Sequence, residues 1–227
     1  MTLILLPGMM CDARLFQPQL EAIPDCTVIT TTDRVTIHAM AQDVLAAAPD
    51  QFNLAGLSMG GIVAMEVARL APRRVRKLAL LDTNHRAETD AVRAARLPQI
   101  NAVQIGRLID VMRDEMKPRY LTDSVHKQSI LDLCMDMATD LGPAAFVAQS
   151  HALMTRPDQT ETLKSLQCPA LVLCGADDHL CPVQTHQIMT ELIPQANLKI
   201  IDHAGHLPTL EQPTATNAAL LQWLKTA

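Results

Sequence analysis

The stretch Phe52-Asn53-Leu54-Ala55-Gly56-Leu57-Ser58-Met59-Gly60-Gly61 passes from an apolar run into a helical pattern at a single serine. The run before Ser58 has the composition of a buried strand. Beyond it, apolar residues recur at roughly helical spacing, at Ile62, Met65, Val67 and Leu70. Gly56 and Gly60 flank the serine, and residues this small let neighbouring backbone pass close to a tight turn. We therefore predict a strand, a sharp turn at Ser58 and a helix.

The turn has the pattern Gly-x-Ser-x-Gly, which is typical of a nucleophile elbow. In an elbow the turn leaves the serine hydroxyl exposed at the start of the helix, where it can react. An ordinary strand-turn-helix can carry the same five residues by chance, because the motif is short. The rest of the chain has to decide between these two interpretations.

Composition and charge narrow the function classes. The chain has 227 residues, of which 48% are hydrophobic and 19% charged, enough for one α/β domain with or without an insertion. The net charge is -5 and the Lys and Arg residues are scattered, so no basic stripe indicates a nucleic-acid partner. The sequence carries no cue to oligomeric state.

The N-terminus and the cysteines bear on location. The first apolar run, Leu3–Leu6, lacks a preceding basic region and is too short for a signal peptide or a membrane span, so we expect no membrane association. Six cysteines without an export signal predict reduced thiols in a cytoplasmic protein. The Cys, Asp and His residues between Cys174 and Cys181 lack zinc-site spacing, and we predict neither a metal nor a cofactor.

Strand-like and helical patterns alternate through residue 83 and resume after residue 165. The predicted strands are Leu3–Leu6, Cys26–Thr32, Phe52–Leu57, Lys77–Asp82, Ala170–Gly175 and Leu198–Ile201. This alternation favours an α/β fold whose mostly parallel sheet of about six strands has helices on both sides. The predicted core therefore comprises residues 1–83 and 166–227.

The segment 84–165 interrupts this alternation, because no run in it resembles a strand. Three stretches have helical patterns: one after Pro98 that ends before Pro118, one from Ser124 to Gly142, and one that opens at Pro143. The composition is not that of a flexible linker. We predict a helical insertion.

A serine hydroxyl needs a base within hydrogen-bond reach, and a third group that orients the base. Such groups belong on loops at the carboxyl ends of the strands, where ligands bind in open α/β sheets. One such loop contains Asp177 and Asp178, and another contains His203 and His206. The chain order is then nucleophile, acid and base.

At these residues the whole chain resembles the α/β-hydrolase superfamily. The resemblance is carried by the elbow at Ser58, by Gly-x-x-Asp-x-x-x-Pro from Gly175 to Pro182, and by Gly205-His206. It implies a serine hydrolase whose catalytic residues are Ser58, Asp178 and His206, in preference to Asp177 and His203. It also implies that the helical insertion is a cap over the site.

The resemblance further implies that the oxyanion hole is formed by the backbone N–H groups of Met9 and Met59. Met9 follows the first strand in the loop Pro7-Gly8-Met9, and Met59 begins the helix after the elbow. The unpaired N–H groups and positive dipole end of a helix favour a developing oxyanion, which agrees with the second assignment. Family members usually have antiparallel strands before this first strand, and from the resemblance we expect a sheet without them here.

The expected reaction is hydrolysis of a small carboxylic ester or lactone through an acyl-enzyme. A carbon–carbon bond hydrolase, an acyltransferase or a cofactor-free perhydrolase is an alternative that uses the same residues. A binding protein that has kept the pocket without turnover is the non-enzyme alternative, and the intact Ser58, Asp178 and His206 argue against it. Fold alone does not decide between them.

Other charged residues have simpler interpretations. The first half of the insertion carries six arginines that either lie on a solvated helix face or bind a substrate carboxylate, and the solvated face is preferred: Arg86, Arg93, Arg96, Arg107, Arg113 and Arg119. Five histidines are expected on the surface or on helix faces: His38, His85, His126, His151 and His186. Glu211 is interpreted as an acid near a helix N-terminus rather than as a catalyst.

Overall fold

The structure, a computed structural model, describes residues 1–226; Ala227, the last residue of the predicted core, lies outside the described residues. Six strands form one sheet: β1 (Leu3–Leu6), β2 (Cys26–Val28), β3 (Phe52–Leu57), β4 (Val75–Leu81), β5 (Ala170–Gly175) and β6 (Ala196–Ile201). The order across the sheet is β2-β1-β3-β4-β5-β6, and each neighbouring pair is parallel. The predicted α/β architecture is confirmed.

Helices connect and cover the strands. They are α1 (Gln17–Ala22), α2 (Ile37–Ala47), α3 (Met59–Leu70), α4 (Asp90–Gln104), α5 (Leu108–Asp110), α6 (Lys127–Met154), α7 (Thr160–Ser165), α8 (Val183–Leu192), α9 (Pro208–Glu211) and α10 (Pro213–Lys225). Helices α4 to α7 all lie between β4 and β5 in the chain. In residues 1–226, no helix combines the length and the apolar character needed to cross a membrane.

The two faces of the sheet pack into two separate apolar clusters. Side chains alternate along a strand, so Leu54 faces the cluster that contains Met65 of α3, whereas Leu57 faces the cluster that contains Trp223 of α10. Every residue of β1, β3 and β5 is buried. Burial on both faces explains why these strands read as continuous apolar runs rather than as alternating patterns.

Several predicted boundaries were wrong. Strand β2 ends at Val28 instead of Thr32. Helix α4 begins at Asp90 rather than after Pro98, because the Thr89 side chain accepts a hydrogen bond from Val92 N and caps the helix. Gly106, with φ 90°, then ends a pattern that was predicted to run on to Met116.

Helix α6 changes direction at Gly142, which has φ 78° and ψ 176°. These values are not helical, which the clash between a proline ring and the preceding residue favours, and Pro143 has no N–H to donate. The break lies where the sequence predicted that one helix ends and the next begins. Helix α7 was not predicted.

Close backbone packing surrounds the turn between β3 and α3. A Cβ added at Gly60 would lie 2.0 Å from the Leu6 carbonyl oxygen, and one added at Gly56 would lie 2.2 Å from the Gly60 carbonyl oxygen. Real Cβ atoms do not approach backbone oxygens this closely. Only glycine at both positions allows β1, β3 and α3 to pack as they do.

We expect Gly60→Ala to lower the free energy of unfolding by about 3 kcal/mol or more, because the added methyl group forces backbone to move. Chemical denaturation followed by circular dichroism measures the change. Gly8→Ala is the matched control, since the nearest atom to its added Cβ is 3.4 Å away. Equal losses in the two variants would contradict this account of the turn.

Candidate active site

Ser58 occupies a strained backbone conformation, with φ 56° and ψ -117°. Such a conformation costs a non-glycine residue about 1–3 kcal/mol and persists only where neighbouring structure holds it. Here Ser58 N donates to Leu81 O at 2.9 Å, and Thr83 Oγ1 donates to Ser58 O at 2.7 Å. The end of β4 therefore holds the turn from one side while α3 begins on the other.

His206 bridges Ser58 and Asp178. Its Nε2 lies 2.9 Å from Ser58 Oγ, and its Nδ1 lies 2.8 Å from Asp178 Oδ2. With the proton on Nδ1, the imidazole donates to the carboxylate and accepts from the hydroxyl. The structure thus brings together three residues that the sequence predicted from three separate loops.

Asp178 is held in its ionised form by its hydrogen bonds. Burial by itself raises the pKa of this carboxyl, but the hydrogen bond and charge of His206, together with two backbone amides, outweigh it. Further donors to Oδ1 are Leu180 N at 2.8 Å and Cys181 N at 3.0 Å. The pKa of Asp178 consequently lies below its usual value. The sequence alternatives, Asp177 and His203, are both exposed to solvent.

The predicted oxyanion amides lie beside the serine. Met9 and Met59 are buried and line the same cavity as Ser58. Within residues 1–226, neither amide N–H has a hydrogen-bond acceptor in the protein. The loop that carries Met9 is anchored at the next residue, because Met10 N donates to Gln149 Oε1 of α6 at 2.9 Å. This arrangement leaves two donors available to an oxyanion.

A cavity of about 420 Å³ opens onto Ser58 and His206. The core contributes Met9, Met59 and Ile62 to its wall, and the helical segment contributes further apolar and charged residues: Val92, Arg96, Met116, Tyr120, Leu153 and Arg156. A second cavity of about 490 Å³ near Val35 and Val147 has no titratable or nucleophilic lining residue. Of these two cavities, the first is the one lined by the hydrogen-bonded Ser58 and His206.

The protein-family comparison matches residues 4–219 to the model described as "Alpha/beta hydrolase family". The chain belongs to this family. Its fold resembles that of a thermophilic esterase from Thermogutta terrifontis solved with malate bound, with TM-score 0.91 and 28% sequence identity. That match covers 99% of this chain and 89% of the esterase.

Two curated relatives of this hydrolase are named for different acyl substrates. A pimeloyl-[acyl-carrier protein] methyl ester esterase from Klebsiella pneumoniae is 29% identical, over 82% of this chain and 75% of the relative. A protein from Agrobacterium fabrum, named as a proposed carbamate hydrolase, RutD, is 26% identical over 98% of this chain and 92% of the relative.

Glu211 lies just before α10, near a helix N-terminus as expected, but it also has a structural role that the sequence did not indicate. Its carboxylate accepts hydrogen bonds from Gly205 N at 2.9 Å and Leu207 N at 3.1 Å, on both sides of His206, and from Thr122 N at 2.9 Å. Through these bonds Glu211 holds the loop that carries His206 against the helical segment. Burial raises the pKa of Glu211 despite these donors. An acid five residues after a histidine gives no signal of this contact.

Two of the histidines expected on the surface or on helix faces are buried: His85, for which that expectation was wrong, and His186, which lies on an inward face of α8. His186 Nε2 accepts from Thr83 N at 3.1 Å, next to the elbow, and its Nδ1 lies 3.3 Å from Pro182 O. Burial lowers the pKa of His186 to about 4, so the imidazole stays neutral and serves as a fixed acceptor. No local pattern distinguishes this histidine from an exposed one.

The Asp178, Cys181 and His206 ligand atoms lie within 4.8 Å of one another, close enough for a metal ion. Metal binding requires a thiolate and a free imidazole nitrogen. Burial raises the pKa of Cys181 well above its usual value, and both nitrogens of His206 already have partners. This donor set suits the hydrogen-bonded arrangement better than a metal.

Asp82, at the end of β4, is a buried acid next to Asp178 that the sequence analysis did not single out. Its Oδ1 accepts from Gly175 N at 2.9 Å, and its fully buried Oδ2 has no other partner within residues 1–226. Burial raises its pKa well above the usual value, and the charge of Asp178 raises it further. A proton on Asp82 removes the repulsion between its carboxylate and that of Asp178. The sequence feature that could have indicated Asp82 is its position directly after an apolar strand.

We expect Asp82→Asn to fold and to gain stability over wild type as the pH rises. In wild type the unfolded chain releases the Asp82 proton above the ordinary carboxyl pKa, whereas the folded protein keeps it. The free energy of unfolding therefore falls by up to about 1.4 kcal/mol per pH unit, a loss that asparagine avoids.

Denaturation of both proteins at pH 5, 6 and 7 measures this difference. The exposed Asp177→Asn serves as the control and should follow wild type at each pH. A stability difference between Asp82→Asn and wild type that stays constant across this range would show that Asp82 is ionised in the folded protein.

Proposed function

We propose that this protein is a serine hydrolase that cleaves a small carboxylic ester or lactone. The observation that supports this most is the pair of hydrogen bonds made by His206, one to Ser58 Oγ and one to Asp178 Oδ2. A hydroxyl bonded to an imidazole, itself oriented by a carboxylate, is the arrangement that activates serine as a nucleophile. Relatives named for ester and carbamate hydrolysis support acyl transfer as the reaction class.

The proposed reaction has two stages. His206 Nε2 takes the proton of Ser58 Oγ as the oxygen attacks the substrate carbonyl, and the Met9 and Met59 amides stabilise the resulting oxyanion. The intermediate collapses, His206 gives its proton to the departing alkoxide, and an acyl-enzyme remains. Water then attacks the acyl carbonyl with His206 as base, the carboxylic acid departs, and Ser58 recovers its proton.

Asp178 has an electrostatic role in this scheme. It keeps the proton of His206 on Nδ1, so that Nε2 faces Ser58 as an acceptor, and it stabilises the imidazolium that forms during attack. Because its pKa is lowered, it remains ionised through the reaction.

In the same proposal, residues 84–165 form a cap on a core of residues 1–83 and 166–227. Three observations support this division. The segment lies between β4 and β5, its elements are all helical or turns, and its side chains supply part of the cavity wall. Closing the cavity with these helices excludes water and strengthens the electrostatic interactions inside.

Ser58→Ala tests the proposed nucleophile. We expect this variant to fold and to lose about 10³-fold or more of the ester hydrolysis rate, because only binding and oxyanion stabilisation remain. Ser129→Ala is a matched control, since Ser129 is exposed on α6 and its hydroxyl donates to His126 O within its own segment. Retained activity in Ser58→Ala would reject the assignment.

Labelling with a fluorophosphonate probe gives a second readout that needs no substrate. The label should map to the peptide that contains Ser58 and should be absent from Ser58→Ala. A panel of ester, thioester, lactone and β-diketone substrates then separates ester hydrolysis from the acyl-transfer and carbon–carbon bond alternatives.

A further inference from the structure

Two arginines share one buried carboxylate in the wall of the Ser58 cavity. Arg96 of α4 contacts Glu88 through Nε and Nη2 at 2.6–3.0 Å, and Arg156, just after α6, contacts the same Glu88 through Nη1 at 3.2 Å. The Glu88 side chain is fully buried, and the guanidinium side chains are 18% and 11% exposed. We call Arg96 and Arg156 the arginine pair, and the pair together with Glu88 the cluster.

The charges of this cluster do not balance. Guanidinium groups stay protonated, so two positive charges face one negative charge and one positive charge is left over. The other charged groups in the cavity wall, Glu115 and Arg119, are exposed and of opposite sign, so they cancel. Asp178 does not compensate this charge, because its carboxylate is hydrogen-bonded to His206 and to two backbone amides.

Each arginine also keeps unused donors. Arg96 Nη1 contacts only the Met9 sulfur, at 4.0 Å, and Arg156 Nη2 has no acceptor within residues 1–226. Arg156 Nε donates to Arg86 O at 2.8 Å, which fixes the direction of its guanidinium. Burial and the charge of Arg96 lower the pKa of Arg156, which reflects a cation placed with incomplete compensation.

We propose that this arginine pair is an anion subsite, and that the hydrolase prefers esters whose acyl group ends in a carboxylate. The inference rests on the proposed function. One carboxylate supplies the single negative charge that the cluster lacks, and its two oxygens match guanidinium donors. A phosphate group, with a charge of about −2, would leave the cluster with a net negative charge. The contact between Arg96 and the Met9 side chain joins the subsite to the predicted oxyanion loop.

The remaining lining of the cavity suits the chain between the two ends of such a substrate. Met9, Met59, Ile62, Val92 and Leu153 surround the space with apolar groups. A dicarboxylic acid monoester has an apolar methylene chain between its ester and its carboxylate. The cavity of about 420 Å³ accommodates a short chain of this kind.

The test compares monoethyl esters of succinate, glutarate and adipate with neutral esters in which an isopropyl group replaces the carboxylate. We expect wild type to favour at least one anionic ester over its neutral partner by about 10-fold or more in kcat/KM, the effect of a charge-assisted hydrogen bond. Equal or better hydrolysis of every neutral ester would overturn the subsite and leave the proposed function intact.

Two variants move this preference in opposite directions. Arg156→Met balances the cluster and should reduce the ratio of anionic to neutral kcat/KM toward one, whereas Glu88→Gln adds net positive charge and should raise it. Arg107→Met is the control, because Arg107 is 60% exposed and pairs with Asp110. A merely structural role of the cluster would lower activity on both esters equally.

A binding measurement tests the subsite without depending on turnover. Calorimetric titration of Ser58→Ala with monoethyl glutarate should give saturable binding that weakens about 10-fold or more when Arg156→Met is added. Undiminished binding in the double variant would reject the subsite even if no ester were hydrolysed. Failure of the proposed function is recognised separately, by wild-type protein that neither turns over any ester nor takes up the fluorophosphonate label.

Discussion

The backbone turn at Ser58 is the constraint on which the rest of the site depends. A serine with φ 56° and ψ -117° is unfavourable by itself, and close contacts on both sides hold it. Gly60 allows α3 to pack against the end of β1, so the loop that carries Met9 lies beside the serine. The close packing of α3 against β1 therefore also positions one predicted oxyanion amide.

Three carboxyl groups lie near the carboxyl ends of the strands, and their hydrogen-bond partners give them different properties. Asp178 has an imidazole and two amides, which outweigh burial and keep it ionised. Asp82 has one amide and a charged neighbour, so the protonated form is favoured. Glu211 has three amides and still a raised pKa. A proton on Asp82 removes the repulsion that two adjacent carboxylates would otherwise create.

The helical segment does more than line the cavity, because it also makes hydrogen bonds to the loops that carry His206 and Met9. Tyr120 O accepts from His206 N at 2.6 Å, and the Tyr120 ring lies 5.8 Å from the imidazole. Gln149 anchors the Met9 loop through Met10 N, and Thr122 N donates to Glu211. Loss of this segment would therefore disturb the orientation of His206 and of the predicted oxyanion amides, as well as exposing the cavity.

Local sequence determined the strands, the elbow, and the loops that carry Ser58, Asp178 and His206. The reason is that buried parallel strands need continuous apolar runs, and a sharp turn between tightly packed elements needs glycine. It could not determine which side chains meet across the fold. Asp82, His186, Glu211 and the pairing of Glu88 with Arg96 and Arg156 depend on contacts between distant segments. Periodicity and composition report only on a residue's own element, so burial of these polar groups became visible only in the tertiary structure.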